Sequence, residues 1–235
     1  MKNLLIIGHR GAAGLEAENT IPSFQRALSL GVDAVELDVW FIDDELFVFH
    51  DLELNRLTGA SGRITEQTKD SIRNLLVRGA HPIPTLDEVL RTIDRGCAVN
   101  IELKGPHTAA PVGKLLTRYV SQFGWQNEEF LVSSFDHQEL KRFKTLASGV
   151  PIGALVYGVP HDLAACVSAL GAATLNISNE FVSRELVNDI HARGARCLAY
   201  TVNDPNELKR LDTIGVDGVF TDCPDLVSHK LTSPN

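Results

Sequence analysis

Four short stretches hold residue types that could do chemistry. Gly8-His9-Arg10-Gly11 follows an apolar run, and Glu36 and Asp38 stand two apart in "DAVELDVWF". Asn100, Glu102 and Lys104 alternate through "NIELK", and His50-Asp51 ends "ELFVFH". On a strand, a spacing of two puts side chains on one face, so Glu36 joins Asp38 and Glu102 joins Asn100 and Lys104. Ionised carboxylates on otherwise apolar strands cost heavy desolvation unless they are paired. Three converging carboxylates would repel one another and raise their pKa values unless a cation joined them. An all-oxygen ligand set suits one hard divalent ion, Mg2+ or Ca2+, better than zinc. Arg10 and Lys104 beside that ion would bind an anionic group such as a phosphate. His9 and His50 would flank the reacting group as acid and base, since histidine titrates near operating pH. Metal, cations and two histidines together make the parts of a phosphodiester hydrolysis site.

Taken singly, each stretch has a plainer account. His9-Arg10 could be a salt-bridged loop, and Glu36 with Asp38 could face water on an edge strand. Glu102 and Lys104 could pair along one strand face, and Asp51 could cap a turn. It is their joint placement at strand ends that points to a site. The remaining histidines lack that placement. His137, His191 and His229 fall in or beside helical patterns and are expected to face solvent; His81 and His161 adjoin loop prolines, and His107 is expected in a surface loop near the site.

The elements that must position these residues alternate from end to end. Strand candidates are "NLLIIG", "DAVELDVWF", "AVNIEL", "FLVSSF", "PIGALVY", "ATLNIS", "ARCLAYTV" and "DGVF". Amphipathic segments lie between them. Leu86, Val89, Leu90 and Ile93 follow helical spacing, as do Leu208, Leu211 and Ile214. Thr85 is placed to cap a helix, and Gly31, Gly171, Gly194 and Gly215 are placed to end one. Eight strand-helix units in a chain of this length predict a (β/α)8 TIM barrel, closed and parallel, with an open doubly wound sheet as the alternative. One domain over residues 1–235 is expected. A short insertion after the second strand, about 51–84, carries one helical stretch near "TKDSIRNLLVRG". In such barrels the chemistry sits where the strands end.

Composition sets the limits. With 44% apolar and 22% charged residues, the chain is that of a soluble globular protein. A net charge of -8 argues against nucleic-acid partners, which need clustered cations. It leaves a small anionic substrate open, because local charge can oppose the global sign. Cys97, Cys166, Cys197 and Cys223 have no CxxC spacing and read as buried free thiols. No stretch reaches membrane-spanning length. A cytoplasmic location is expected, with no membrane insertion and, beyond substrate, at most further copies of the chain as a homo-oligomer.

An ordered series of motifs carries a resemblance. "GHRG" with "ENT", "ELDV", "HD", "IPTLDEVL", "IELK", "SSFD", "TVND" and "TDCPD" run along the chain in the order of the glycerophosphodiester phosphodiesterases of the metal-dependent barrel type. The resemblance implies hydrolysis of a glycerophosphodiester to sn-glycerol 3-phosphate and an alcohol. It implies a divalent metal on Glu36, Asp38 and Glu102, acid-base catalysis by His9 and His50, and phosphate binding by Arg10 and Lys104. Glu18 and Asn19 match a loop that orients His9 or Arg10, and Phe135 and Tyr200 match walls of the alcohol pocket. Two positions depart from the family pattern: Ala17 stands where proline is usual before "ENT", and Tyr200 where tryptophan is common before "TVN". The compact insertion favours water-soluble diesters over lysophospholipids. A lysophospholipase D on the same fold and an inert metal-binding barrel are the alternatives. Which histidine is the acid, and whether water or the glycerol 2-hydroxyl attacks, stay open.

Overall fold

Strand alternation closes into a cylinder. The computed structural model describes residues 4–227; Asn3, from the first strand candidate, and His229 lie outside them. The eight parallel strands are β1 (Leu5–Gly8), β2 (Ala34–Ile42), β3 (Ala98–Leu103), β4 (Phe130–Ser134), β5 (Ile152–Val156), β6 (Thr174–Ser178), β7 (Arg196–Tyr200) and β8 (Gly218–Thr221). Each neighbours the next, and β1 pairs with both β8 (Leu5 opposite Gly218) and β2 (Ile7 opposite Ala34). That double pairing excludes the open sheet. The fold is a TIM barrel.

A helix follows each strand: α1 (Ile21–Ser29), α2 (Leu86–Ile93), α3 (Ala109–Gln122), α4 (His137–Leu146), α5 (Ala165–Leu170), α6 (Arg184–Ala192), α7 (Pro205–Ile214) and α8 (Pro224–Val227). Their starts follow the side chains that precede them. Thr85 accepts from the Glu88 N–H while Glu88 returns a bond to the Thr85 N–H, a reciprocal cap that satisfies two free donors of α2. Asp136, Ser183 and Asp204 cap α4, α6 and α7. Gly31, Gly171, Gly194 and Gly215 all take positive φ at or just past helix ends.

The outward strand face is apolar and the inward face is split. Val35, Leu37, Val39, Val99, Ile101 and Leu103 pack with Leu86, Val89, Leu90 and Ile93 in the main core. Inside the cylinder, Ile7, Leu198 and Phe220 form a small apolar plug with Ala34, Leu131 and Tyr200 against it. The alternation that buries valines outside sends Glu36, Asp38, Asn100 and Glu102 inward.

The insertion differs from its expected shape. β2 turns into an antiparallel strand, Glu45–Val48. Beyond it come two short helices, Asn55–Thr58 and Lys69–Arg73, and a two-residue hairpin that pairs Leu76 with Pro82. The helix near "TKDSIRNLLVRG" therefore stops at Arg73, because Leu76 and Val77 extend to pair. Trp40, Phe47, Phe49, Leu54, Leu57 and Ile64 give this region a core of its own. The four cysteines are free, and Cys197 is buried; Cys97, Cys166 and Cys223 are only half-buried, short of the full burial expected. Among the described residues no helix is long and apolar enough to cross a membrane.

Candidate active site

The turn after β1 is built from its glycines. A Cβ on Gly8 would lie 2.3 Å from the Gly11 carbonyl oxygen, and Gly11 has φ +88° with its Cβ direction blocked by Ser23. The chain can therefore reverse within four residues. Arg10 follows with φ 51°, and its N–H donates to Glu36 Oε2 at 2.9 Å. His9, on the inner face, points one ring nitrogen toward the mouth, with Nε2 3.9 Å from Glu36 Oε2. Its Nδ1 lies 2.7 Å from Asp222 Oδ1. Asn203 holds the other Asp222 oxygen at 2.8 Å, so this carboxylate is fixed at both ends.

The second histidine is built alike. His50 Nδ1 lies 2.7 Å from Asp51 Oδ1, leaving Nε2 for the cavity that His50 lines. Burial, with Arg10 and Lys104 nearby, lowers the His50 pKa against the pull of Asp38. Burial alone would raise Asp51, but bonds from Arg56 and His50 bring it down to about 2.

Between the histidines sit Glu36, Asp38 and Glu102. β2 and β3 align Asp38 with Glu102 and Glu36 with Asn100. The three carboxylates each offer an oxygen within 4.8 Å of the others, an arrangement that could hold a metal ion. Burial, then Asp38, raises both partners: Glu36 lies well above the ordinary range and Glu102 is pushed up to about 7. Asp38 goes the other way despite its burial, because Lys104 and Arg10 face it. Lys104 Nζ lies 2.7 Å from Glu102 Oε1 and 3.5 Å from Asp38 Oδ1. The plainer reading of Glu102 and Lys104 as a strand-face pair thus holds at the same time as their place at the mouth. Three crowded carboxylates, two of them raised by burial and by Asp38, offer only oxygen donors and fit a hard divalent cation, which would relieve their repulsion.

Glu18 accepts from Arg10 Nη1 at 2.6 Å. Asn19 donates its backbone N–H to the Arg10 carbonyl at 3.1 Å, and its side-chain amide donates to Asp38 Oδ2 at 2.8 Å, so it also steadies a carboxylate. The cavity measures about 260 Å3. Its polar wall comes from β1, β2, β3 and His50, and the opposite wall is Phe135, Leu155, Tyr200 and Phe220. Tyr200 meets Phe135 edge-on at 6.1 Å, and its hydroxyl donates to the Val156 carbonyl at 2.7 Å. Phe135 lies just past β4, half of its surface exposed (49%). Tyr200 takes no part in the polar wall.

The other described histidines do not line this cavity. His191 is exposed as expected, with Nε2 2.7 Å from Asp217 Oδ2, whereas His137 is half-buried, its Nε2 3.0 Å from the Leu155 carbonyl. His107 is exposed and lines a separate groove with Trp40. Reading the residues alone missed Asp222, Asn203 and Arg56. The first two stand in "TDCPD" and "TVND", and that signal was in view; nothing local in "LNRLTG" marks Arg56.

A TIM barrel whose mouth holds three acids, two cations and two carboxylate-backed histidines defines an enzyme that works on phosphate esters. The Glycerophosphoryl diester phosphodiesterase family matches residues 9–226. A glycerophosphodiester phosphodiesterase of Bacillus altitudinis is 33% identical over 233 residues, covering 94% of this chain and 95% of that protein. A human lysophospholipase D is 26% identical over 262 residues, covering 93% of this chain and 83% of that protein. Among solved structures, an Oleispira antarctica phosphodiesterase in complex with the product sn-glycerol-3-phosphate superposes with a TM-score of 0.88 at 29% identity, over 97% of each chain. This chain belongs to the glycerophosphoryl diester phosphodiesterase family. It is an enzyme, not a barrel of unrelated function.

Proposed function

We propose that this enzyme hydrolyses glycerophosphodiesters to sn-glycerol 3-phosphate and a free alcohol, and that it depends on one divalent metal, Mg2+ or Ca2+. The observation that carries the reading is the acid trio within 4.8 Å, set between two histidines that each rest on an aspartate at 2.7 Å. Glu36, Asp38 and Glu102 would hold the ion. When bound, the ion supplies Lewis-acid polarisation of a phosphoryl oxygen.

The remaining chemistry belongs to the chain. Arg10 and Lys104 neutralise the phosphate by charge-assisted hydrogen bonds. Asp222 and Asp51 fix the tautomer and ring plane of His9 and His50, leaving each Nε2 toward the substrate. One imidazole takes the proton of the attacking hydroxyl, and the other gives one to the leaving alkoxide. Phe135 and Tyr200 wall the alcohol end, while Glu18 and Asn19 keep Arg10 and Asp38 in place. The compact insertion, whose strands and helices are two to five residues long, favours small water-soluble diesters over lysophospholipids. The four free thiols accord with a reducing compartment such as the cytoplasm.

The test is release of sn-glycerol 3-phosphate from glycerophosphocholine by chelator-treated enzyme, with Mg2+ or Ca2+ added back. Release that requires either ion is the expected result. Full activity in excess chelator would remove the metal from the reading, and no release from any glycerophosphodiester would remove the substrate.

A further inference from the structure

One guanidinium grips both halves of the mouth. Arg56 stands on the short helix Asn55–Thr58 of the insertion. Its Nε and Nη2 donate to Asp51 Oδ2 and Oδ1 at 2.5 and 2.9 Å. Its Nη1 and Nη2 donate to Glu18 Oε2 and Oε1 at 2.7 Å each. Both carboxylates are thus held by two bonds, which the planar fork of arginine permits and the point charge of lysine does not.

What lies behind each carboxylate gives the arrangement its meaning. Asp51 Oδ1 holds His50 Nδ1 at 2.7 Å, and Glu18 Oε1 holds Arg10 Nη1 at 2.6 Å. The line His50–Asp51–Arg56–Glu18–Arg10 runs unbroken across the mouth. Without its central cation, two acids would face each other and push their partners apart. The carboxylates are mostly buried while the Arg56 side chain is 46% exposed, so the clamp closes from the solvent side.

We propose that Arg56 is a positioning residue, which sets the distance between the histidine that moves a proton and the arginine that holds the phosphate. The proposal rests on the functional reading above, but it makes its own measurement. Arg56→Gln keeps the side chain near its length and removes both charge and fork. Its kcat should fall on the order of 10- to 100-fold, the usual scale for displacing a catalytic group by a fraction of an ångström to about 1 Å, and KM for glycerophosphocholine should rise with it. Added methylguanidinium should restore part of kcat in Arg56→Ala, a rescue that a merely structural role would not show. Arg56→Lys should stay impaired.

Wild-type kcat and KM in Arg56→Gln would overturn the clamp, and so would full recovery in Arg56→Lys. Calorimetric titration with sn-glycerol 3-phosphate provides an arm that needs no turnover. Its affinity should drop several-fold in Arg56→Gln as Arg10 loses its brace, and an unchanged affinity would count against the proposal. A wild-type chain that binds this ligand yet cleaves no glycerophosphodiester would sink the functional reading, while the loss of affinity in the variant would still support the clamp.

Discussion

At the scale of single residues, the site works by giving similar groups different surroundings. His9 and His50 each lean on an aspartate, yet one touches Glu36 from β1 and the other stands under the field of Arg10 and Lys104. Replacing either histidine with alanine should lower kcat about a hundred- to ten-thousand-fold, with a modest loss of thermal stability because Asp222 or Asp51 loses its imidazole partner. Steady-state turnover alongside a melting curve checks both halves, and near-normal turnover in one variant would release that residue from its role. Much of this was legible beforehand. A period of two marks Glu36, Asp38 and Glu102 on any strand, and charged side chains on an inward face demand a reason. Asp222 was harder to assign, since the bond it makes to His9 spans 213 residues of chain. Asn19 holds the Arg10 carbonyl through its backbone, but its side-chain bond to Asp38 joins loop to strand and has no local signal in the sequence.

At the scale of elements, the motifs that carry the family likeness divide into those that touch the cavity and those that hold the frame. Asp136 of "SSFD" and Asp204 of "TVND" spend their carboxylates on the first N–H groups of α4 and α7. The same split appears in α2. Its apolar positions were readable from spacing, and all four are buried to 2% exposure or less. Leu90→Ala should therefore destabilise the enzyme by about 2–5 kcal/mol, and Thr85→Ala by about 1 kcal/mol through its cap. Denaturant unfolding measures both, and KM should not move in either. A rise in KM would mean that α2 reaches the mouth. The insertion was the least legible element. It has no sustained period, its strands and helices are two to five residues long, and its order comes from long-range contacts with Trp40 and Phe47.

At the scale of the whole molecule, acid should loosen the fold through the depressed carboxylates. Asp51, at about 2, binds its proton less readily folded than unfolded, and Glu18 and Asp222 are shifted the same way. Their stabilisation is complete above the unfolded value near pH 4 and is lost as pH falls through the folded value. The urea midpoint should drop between about pH 5 and about pH 2, and Asp51→Asn should flatten that slope. An unchanged slope in the variant would assign the loss to other acids. The thiols give a second whole-molecule readout. Cys197 is fully buried and its thiol is pushed up to about 12, so it should not react with an aromatic disulfide reagent until the barrel opens. Prompt labelling of Cys197 in the native enzyme would mean that β7 is exposed. The barrel seam has a consequence in time as well as space. His9 leaves the ribosome 213 residues before Asp222, and β1 can complete its pairing only with β8. A nascent chain thus lacks the carboxylate behind His9 until β8 and Asp222 have been made, and the barrel mouth cannot be complete before then.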